Sequence, residues 1–377
     1  MIIILPVVSL LFAYSILIGA ITVGWYRTNE NKKKYPNCST KVSIVVAARN
    51  EAQNIGVLLN DLGKQEYPAG LLEIIVVDDQ SEDDTSKVAE EFSNKPGIPV
   101  TVFEMHEAGG SGKKAALDFG IRQAKGELIL CTDADCRVPL NWVRTIAGYF
   151  EEYRPVMILA PVRFEEGFGF FGMMQELEFM SLLATTAGSA RCGFPLMANG
   201  ANLAYSKEAY LSAGGFADNM KYPSGDDLFM MTSFKKRYGR GSVRFLKSGE
   251  VVVKTPPEKR LSGFINQRLR WVSKSRGYRD IPLMISSILV YLTNLIFFLV
   301  LVQGIFHADK LYLAIMCYLF KLMIDLPVMI GISRFQGRLK LIWLFPLLEV
   351  INAIYISIIG FIGNRKSFTW KGRRFTP

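Results

Sequence analysis

Two carboxylates separated by one residue, Asp133 and Asp135, follow a short apolar run at residues 128–132. In an extended chain, side chains two residues apart point to the same side, so both carboxylates are predicted to project together beyond a buried strand. Carboxylate oxygens are hard ligands that suit Mg²⁺ or Mn²⁺, which proteins hold with one or two carboxylates plus substrate phosphates. Taken alone, a solvated Asp-x-Asp turn is the simpler interpretation, and the neighbouring motifs decide against it.

The composition indicates a membrane protein with a globular part. Half of the 377 residues are hydrophobic, which is high for a soluble enzyme, and the length suggests about two structural units. The net charge is +10, but the basic residues cluster beside hydrophobic segments, as in residues 27–34 and 365–374. This placement favours an anionic membrane surface over nucleic acid as partner. The five cysteines include no CxxC pair, so we expect reduced thiols, not disulfides or a zinc site.

Four apolar segments are long enough to cross a bilayer. The first has no charged side chain and lacks the basic start of a cleaved signal peptide, so it is predicted to be an anchor. Because Lys and Arg residues follow it directly, the positive-inside rule predicts that the next domain is cytosolic. The four segments are residues 1–26, 281–306, 311–332 and 341–362.

The later apolar segments carry ionisable residues, which are costly at membrane depth. Lys321 and Asp325 are four residues apart and are predicted to pair on one helix face. Glu349 is expected either to join an interhelical ion pair or to line a polar pathway. If all three segments span, the basic tail lies outside, against the positive-inside rule. If one segment is re-entrant or interfacial, the tail returns to the cytosol, and Pro346 and Glu349 make the last segment the expected one. The sequence does not decide on which side of the membrane the C-terminus lies.

Between the anchor and these segments, short apolar runs alternate with helical patterns. This alternation predicts an α/β fold with a mostly parallel, doubly wound sheet, and such sheets bind ligands at the carboxyl ends of their strands. No GxGxxG follows the first strand, and residues 109–114 lack the spacing of a phosphate loop, so neither a dinucleotide site nor NTP hydrolysis is favoured. The predicted strands are residues 42–48, 73–77, 100–103 and 128–132; the predicted helices are residues 52–62, a helix ending near 93, residues 113–123 and a helix from 141.

Two further segments, residues 168–186 and 261–272, are predicted to be helices that lie at the membrane interface or pack within the protein. The second alternates apolar residues with Lys and Arg, which is typical of an interfacial helix. The predicted organisation is a transmembrane anchor (1–26), a catalytic domain (41–255), an interfacial helix with a QxxRW motif (256–280), a membrane region of three helices (281–363) and a basic tail (364–377).

Five short motifs occur in an order that resembles one family. They are residues 48–51 (ARNE), 77–81 (VDDQS), 133–135 (DAD), 224–227 (SGDD) and 267–271 (QRLRW). Over residues 41–271 the chain resembles the membrane-bound family-2 glycosyltransferases, which include cellulose, chitin, hyaluronan and poly-N-acetylglucosamine synthases and ceramide glucosyltransferases. The resemblance implies a GT-A catalytic domain, which is Rossmann-like with a mostly parallel sheet, flanked by transmembrane helices.

The resemblance also implies how a nucleotide-sugar donor is held. Asp79, with Asp78 beside it, corresponds to the residue that accepts hydrogen bonds from the base or ribose. Asp133 corresponds to a nucleotide contact, and Asp135 to the ligand of a Mg²⁺ or Mn²⁺ ion that Asp133 helps to hold. Such an ion neutralises charge on the leaving nucleoside diphosphate. The nucleotide-sugar-binding candidates are Asn50, Glu51, Asp78, Asp79, Lys114, Asp133, Gln267 and Arg270.

Diphosphate contacts are expected from the QxxRW motif and from a helix start. Gln267 and Arg270 resemble the family's diphosphate contacts, and the planar fork of a guanidinium suits that role. Lys113 and Lys114 could reach phosphate, and solvated lysines at a helix start are an equal alternative.

An inverting displacement needs a base that takes the proton of the acceptor hydroxyl. The family has an acidic residue there, which corresponds to Asp227, with Asp226 as the alternative because the register is ambiguous by one. A helix N-cap is the structural alternative for either residue. Trp271, Asn199 and Gly200 match acceptor-side positions of the family.

The resemblance therefore implies an inverting, metal-dependent glycosyltransferase in the cell (plasma or inner) membrane, with a cytosolic catalytic domain. It would move a sugar, UDP-linked by resemblance, to a membrane lipid or lipid-linked acceptor. The alternative is a processive polysaccharide synthase, for which four helices form a poor channel without a homo-oligomer or an accessory subunit. Distant alternatives are a nucleotide-sugar receptor, which would lack the carboxylates, and a transporter using Lys321, Asp325 and Glu349, which would leave the catalytic-looking domain unexplained.

Overall fold

The computed structural model describes residues 4–93, 95, 99–105, 111–166, 169–220, 222, 224–363 and 366–375. Parts of four predicted features lie outside the described residues: 1–3 of the anchor, 109–110 of the glycine-rich loop, 168 of the helix predicted at 168–186, and 364–365 and 376–377 of the tail. The α-helices are α1 (Ile4–Arg27), α2 (Ile55–Leu62), α3 (Thr85–Ser93), α4 (Lys113–Gln123), α5 (Trp142–Tyr153), α6 (Gly169–Arg191), α7 (Lys207–Ser212), α8 (Asp226–Tyr238), α9 (Leu261–Ser273), α10 (Ile281–Phe306), α11 (Ala308–Phe335) and α12 (Phe345–Ile362). The strands are β1 (Val42–Ala48), β2 (Leu72–Asp78), β3 (Val100–Glu104), β4 (Leu128–Cys131), β5 (Met157–Leu159), β6 (Val162–Phe164), β7 (Leu203–Ser206), β8 (Val243–Phe245), β9 (Val253–Thr255), β10 (Phe368–Trp370) and β11 (Arg373–Phe375).

The chain forms two compact units, and they divide it differently from the predicted domains. Residues 166–196, expected within the catalytic segment 41–255, belong to the unit that holds the apolar helices. The reason is α6, which buries residues on all its sides and therefore packs among other helices. The sheet unit comprises Asn29–Glu165 and Met197–Pro256, and the helical unit comprises Met1–Thr28, Glu166–Leu196 and Pro257–Pro377.

The sheet unit is built on seven strands in the order β3-β2-β1-β4-β7-β5-β8. β7 runs antiparallel to its neighbours β4 and β5, and the other pairs are parallel. β1 and β2 are almost wholly buried apolar runs, as expected of strands covered on both faces. The predicted mostly parallel sheet is confirmed. β6 and β9 form a separate parallel pair.

Strand register determines which residues leave the sheet together. Ala48 pairs with Asp78 at the ends of β1 and β2, and Val45 pairs with Cys131 at the end of β4. Because parallel strands end at one edge, the acidic residues after β2 and β4 emerge at the same edge of the sheet. The predicted element ends differ slightly: α2 begins at Ile55, since residues 52–54 form a turn, and β4 ends one residue early.

Four helices of the helical unit are long and apolar enough to cross a membrane, as the sequence predicts. The last begins with a 3₁₀ turn, Leu339–Leu344, before α12 starts at Phe345. Pro346 lies in the first turn of α12, where a missing N–H is tolerated, and the helix continues to Ile362. That this segment is re-entrant or interfacial stays a prediction. The candidate spans are Val7–Arg27, Ile281–Phe306, Lys310–Phe335 and Leu339–Ile362.

The anchor α1 packs closely against α6 through glycines. A Cβ added to Gly24 would lie 2.1 Å from the carbonyl oxygen of Gly188, and one added to Gly188 would lie 2.2 Å from the carbonyl oxygen of Ile21. Only glycine permits this backbone approach, which is typical of helix crossings in membranes. The anchor is therefore an integral part of the helical unit.

An ion cluster joins three apolar helices. Lys321 and Asp325 of α11 form the predicted pair, with 2.8 Å between Nζ and Oδ2, and Lys321 also bonds Glu349 of α12. The Tyr14 hydroxyl of α1 lies 2.9 Å from both Asp325 carboxylate oxygens. All four side chains are buried. The sequence left two roles open for Glu349, an interhelical ion pair or the lining of a polar pathway. The structure contains the ion pair, between Lys321 of α11 and Glu349 of α12.

Lys321→Met is expected to lower the free energy of unfolding by about 3–5 kcal/mol, because two buried carboxylates would lose their cation. Thermal unfolding of the detergent-solubilised protein measures this loss. Lys340→Met is the matched control, since Lys340 is exposed. Equal midpoints for the two variants would contradict a stabilising role for the cluster.

Candidate active site

At the ends of β1 and β2, the predicted donor-binding acids are buried and hold the loops in place. Both oxygens of Asp78 accept hydrogen bonds from Ser81, one from its backbone N–H at 2.9 Å and one from its hydroxyl. Asp79 accepts a hydrogen bond from the N–H of Gly112 at 2.8 Å. Arg49 donates to the carbonyl oxygen of Asp79 at 2.7 Å. These contacts give the edge of the sheet a defined shape.

Asn50 and Glu51 connect the end of β1 to the loop before α3. Asn50 has a left-handed φ of 52°, and its side-chain oxygen accepts a hydrogen bond from the N–H of Glu82 at 2.8 Å. The N–H of Glu51 donates to the hydroxyl of Thr85 at 2.8 Å. Both predicted donor-binding residues therefore make scaffold contacts, beside a cleft lined by Asp78, Ser81, Asp83, Asp84, Ser86, Lys87, Glu90 and Glu104.

Among the described residues, Asp133, Asp135 and Cys136 form a group whose possible ligand atoms lie within 4.8 Å of one another. Burial, with Asp135 and Asp133 nearby, raises the pKa of the Cys136 thiol well above its usual value. Sulfur is a soft ligand, whereas Mg²⁺ and Mn²⁺ prefer oxygen, so the two carboxylates are the donors that suit these ions. Such a hard-oxygen set fits Mg²⁺ or Mn²⁺, as the sequence predicts.

Lys113, at the start of α4, lies between two of the candidate carboxylates. Its Nζ is 2.5 Å from Asp133 Oδ1 and 3.4 Å from Asp226 Oδ2. Burial lowers the pKa of this ammonium, but Asp133 and Asp226 raise it by more, so the net pKa lies above the usual 10.5. The ammonium therefore stays charged at physiological pH. A Cβ added to Gly200 would lie 3.1 Å from Asp226 Oδ2 and 3.2 Å from Lys113 Nζ, so this glycine leaves room for the contact.

Lys114, a predicted donor-binding residue, points elsewhere. Its buried ammonium donates to the carbonyl oxygens of Asn219 at 2.8 Å and Tyr222 at 3.0 Å. It also lies 4.7 Å from the centroid of the Phe229 ring. Lys113, which the sequence analysis weighed but did not select, is the lysine beside the carboxylates. The helical pattern of α4 already indicated that only one of the two lysines could face the carboxylates, since neighbouring helix positions face different sides.

The two candidate bases occupy the first turn of α8 and have different surroundings. Asp227 accepts hydrogen bonds from the N–H of Gly200 at 3.3 Å and from that of Leu228 at 2.7 Å. It thus satisfies an N–H of the first turn, but the N-cap position is Gly225, so the alternative that one of the two acids is the N-cap is wrong. Asp226 faces Lys113. Asn199 accepts a hydrogen bond from the N–H of Ala201 at 3.0 Å, and so shapes the loop that brings Gly200 to Asp227.

The QxxRW motif lies on α9 in the helical unit, and Arg268 within it is the buried guanidinium. Arg268 bonds both carboxylate oxygens of Glu178 in α6, with 3.0 Å between Nε and Oε1. Its guanidinium carbon is 4.2 Å from the Trp271 ring centroid, and Arg268 also donates to the side-chain oxygen of Gln267. Arg270 instead lies 5.3 Å from the Trp370 ring centroid. The sequence analysis predicted no role for Arg268, because its partner Glu178 is distant along the chain.

Lys113→Met is expected to lower the thermal unfolding midpoint by about 2–4 °C at pH 7, the shift that ~1 kcal/mol produces in a domain of this size. Because the pKa of Lys113 is raised in the folded protein, its contribution is fully present at neutral pH and is lost only as pH rises through that raised pKa. The deficit of the variant should therefore stay the same between pH 7 and pH 9. Lys64→Met is the control, because this lysine is exposed on the sheet unit, and its stability should stay within about 0.5 kcal/mol of wild type at each pH.

Two family models match the chain. Glycosyl transferase family 2 matches residues 43–210, and glycosyl transferase family group 2 matches residues 128–332. The second match alone covers more than half of the chain. Together the two matches contain the carboxylates after β2 and β4, both acids of α8 and the QxxRW motif.

Several relatives are about one-third identical to this chain over an aligned part of it. TarS of Staphylococcus aureus (strain Mu50), a poly(ribitol-phosphate) beta-N-acetylglucosaminyltransferase, is 32% identical over 129 residues, which are 34% of this chain and 22% of that protein. Beta-monoglucosyldiacylglycerol synthase of Synechocystis sp. is 32% identical over 111 residues, 29% of this chain and 23% of that protein. Poly-beta-1,6-N-acetyl-D-glucosamine synthase of Staphylococcus epidermidis is 33% identical over 94 residues, 25% of this chain and 21% of that protein. The chain thus matches less than a quarter of the length of each relative.

A solved structure is similar over nearly the whole chain. The mannosyltransferase PcManGT from Pyrobaculum calidifontis, in complex with GDP-Man and Mn²⁺, superposes with a TM-score of 0.57 at 17% identity, covering 93% of this chain and 99% of that one. With the family matches, this likeness confirms the predicted GT-A fold class. The family predicted from the five motifs is confirmed as well: the chain belongs to glycosyltransferase family 2.

Proposed function

We propose that the protein is an inverting, metal-dependent glycosyltransferase that moves a sugar from a nucleoside diphosphate sugar to a membrane lipid or lipid-linked acceptor. The observation that carries this proposal is the convergence of Asp133, Lys113, Asp226, Gly200 and Asp227 in one place within the sheet unit. A single displacement needs a metal ion on the leaving-group side of the reacting carbon and a base on the opposite side, and these residues include candidates for both roles.

Donor binding is assigned to the edge of the sheet where β1, β2 and β4 end. Asp79 and Asp78 would meet the nucleoside, and Asp135 with Asp133 would hold a Mg²⁺ or Mn²⁺ ion. When bound, the ion supplies positive charge that stabilises the leaving nucleoside diphosphate. The ammonium of Lys113 adds a fixed charge at the same place, because its pKa is raised above the usual value. UDP is the first donor nucleotide to test.

Proton removal from the acceptor hydroxyl is assigned to Asp227, with Asp226 as the alternative. As the acceptor oxygen bonds to the anomeric carbon, the carboxylate takes the hydroxyl proton and the nucleoside diphosphate leaves from the opposite face, so the configuration inverts. Asp227 is held by two backbone N–H groups, which keep its carboxylate in a constant orientation. Asn199, Gly200 and Trp271 are the proposed acceptor contacts.

A lipid acceptor is favoured by the four apolar helices and by the relative named a monoglucosyldiacylglycerol synthase. We place the catalytic unit on the cytosolic side, because basic residues follow the anchor directly. Processive polysaccharide synthesis is the second candidate, supported by the relative named a poly-beta-1,6-N-acetyl-D-glucosamine synthase and by the QxxRW motif. A homo-oligomer or an accessory subunit would then have to complete a channel.

The test uses membranes that contain the protein, Mn²⁺ or Mg²⁺, and a panel of labelled UDP- and GDP-sugars, with products partitioned between butanol and water. Metal-dependent label in butanol is expected. Label in a water-soluble polymer of mixed size would support the synthase instead. If wild-type membranes gave no metal-dependent label from any donor, the proposed function would be wrong.

Variants of neighbouring residues locate the chemistry. Asp135→Ala should abolish transfer, whereas Cys136→Ser should retain activity within about 3-fold, because carboxylates and not the thiol suit Mg²⁺ and Mn²⁺. Asp227→Asn should lower kcat by about 10²–10⁴-fold, the usual contribution of a general base. A larger loss in Asp226→Asn than in Asp227→Asn would reassign the base to Asp226. Loss of activity in Cys136→Ser equal to that in Asp135→Ala would contradict the oxygen-only metal site.

A further inference from the structure

The last described residues of the chain form a β-hairpin. β10 and β11 pair antiparallel, with Phe368 opposite Phe375 and Trp370 opposite Arg373. The two loop residues, Lys371 and Gly372, have φ values of 48° and 78°. A two-residue loop with positive φ at both positions matches the twist of paired strands, and Gly favours it. The local sequence Trp-Lys-Gly-Arg therefore specifies a hairpin.

The hairpin is docked on the helix that carries the QxxRW motif. Phe368 is 4% exposed and forms a buried cluster with Leu269 of α9 and Ile359 of α12, against which Trp370 also packs. The N–H of Thr369 donates to the side-chain oxygen of Asn266 at 3.4 Å. Since these contacts bury apolar surface and add a backbone hydrogen bond, the hairpin has a definite position on α9 within the helical unit.

The signature side chains of the QxxRW motif are Gln267, Arg270 and Trp271. Gln267 and Trp271 both contact Arg268, whereas Arg270 contacts the hairpin. Arg268, bonded to Glu178, contacts both Gln267 and Trp271. The guanidinium of Arg270 lies over the Trp370 ring, 5.3 Å from its centroid. The hairpin thus contacts Arg270 as Arg268 contacts Gln267 and Trp271.

We propose that Trp370 is a positioning residue for Arg270, whose guanidinium the C-terminal hairpin holds in place on α9. The inference rests on the proposed function, with Arg270 in the diphosphate-binding role that the family resemblance implies for it. A cation over an aromatic face is attracted to it, and the planar fork of donors of a guanidinium suits phosphate oxygens. Holding the long Arg270 side chain before the donor arrives reduces the entropy lost on binding.

The test compares the KM for the nucleotide sugar and the inhibition constant of the free nucleoside diphosphate in variants of Trp370. Trp370→Leu keeps apolar bulk against Leu269 but removes the ring, and both constants should rise about 5–10-fold. Trp370→Phe keeps a ring and should stay within about 2-fold of wild type. Thr369→Val is the matched control, because this exposed side chain lies on the same strand. A purely structural role would lower kcat through loss of active protein without changing either constant.

A double-mutant cycle with Arg270→Lys shows whether Trp370 acts through Arg270. In the Arg270→Lys background, Trp370→Leu should change KM by less than about 2-fold, because the guanidinium it positions is gone. The same fold-change in both backgrounds, or an unchanged KM in Trp370→Leu alone, would overturn the inference while the wild type still transfers sugar. Absence of transfer by the wild type from every donor would overturn the proposed function and the inference with it.

Discussion

The arrangement of the candidate site depends on one ammonium group placed among carboxylates. Asp133 follows a central strand and Asp226 begins a helix, so the fold brings like charges together at the edge of the sheet. Lys113 contacts both, and Asp227 adds to the charge that keeps its pKa high. Without this cation the carboxylates would repel one another in a partly buried place. Gly200 leaves room for the contact, because a Cβ there would lie 3.1 Å from Asp226 Oδ2 and 3.2 Å from Lys113 Nζ and would crowd both.

In the helical unit, α6 holds other elements in place through buried polar side chains. It is an apolar helix, yet three neighbouring polar residues on it are buried and each is paired with a different element. Gln175 exchanges hydrogen bonds with the backbone just before α9, Glu176 lies 2.9 Å from Arg338, and Glu178 binds Arg268. Buried polar groups need such partners, so these pairs determine where α9, and with it the QxxRW motif, lies against α6.

The features that the sequence predicted well are those with a local signal. Alternating apolar runs and helical patterns predicted the sheet, and uninterrupted apolar stretches predicted the four apolar helices of the described residues. The order of five motifs predicted the family. Features without a local signal were missed: the antiparallel β7, the transfer of residues 166–196 to the helical unit, and the pairing of Arg268 with Glu178.

The sequence by itself determined the fold class, the apolar helices and the set of acids available for chemistry, because periodicity, hydrophobicity and residue type are properties of short stretches of chain. The tertiary structure decided which side chains meet. It decided that Lys113 and not Lys114 faces the carboxylates, and that Asp227 meets the loop at Gly200 while Asp226 meets a cation. Neighbouring residues on a helix differ in direction by about 100°, so a choice between them depends on which face the rest of the fold covers.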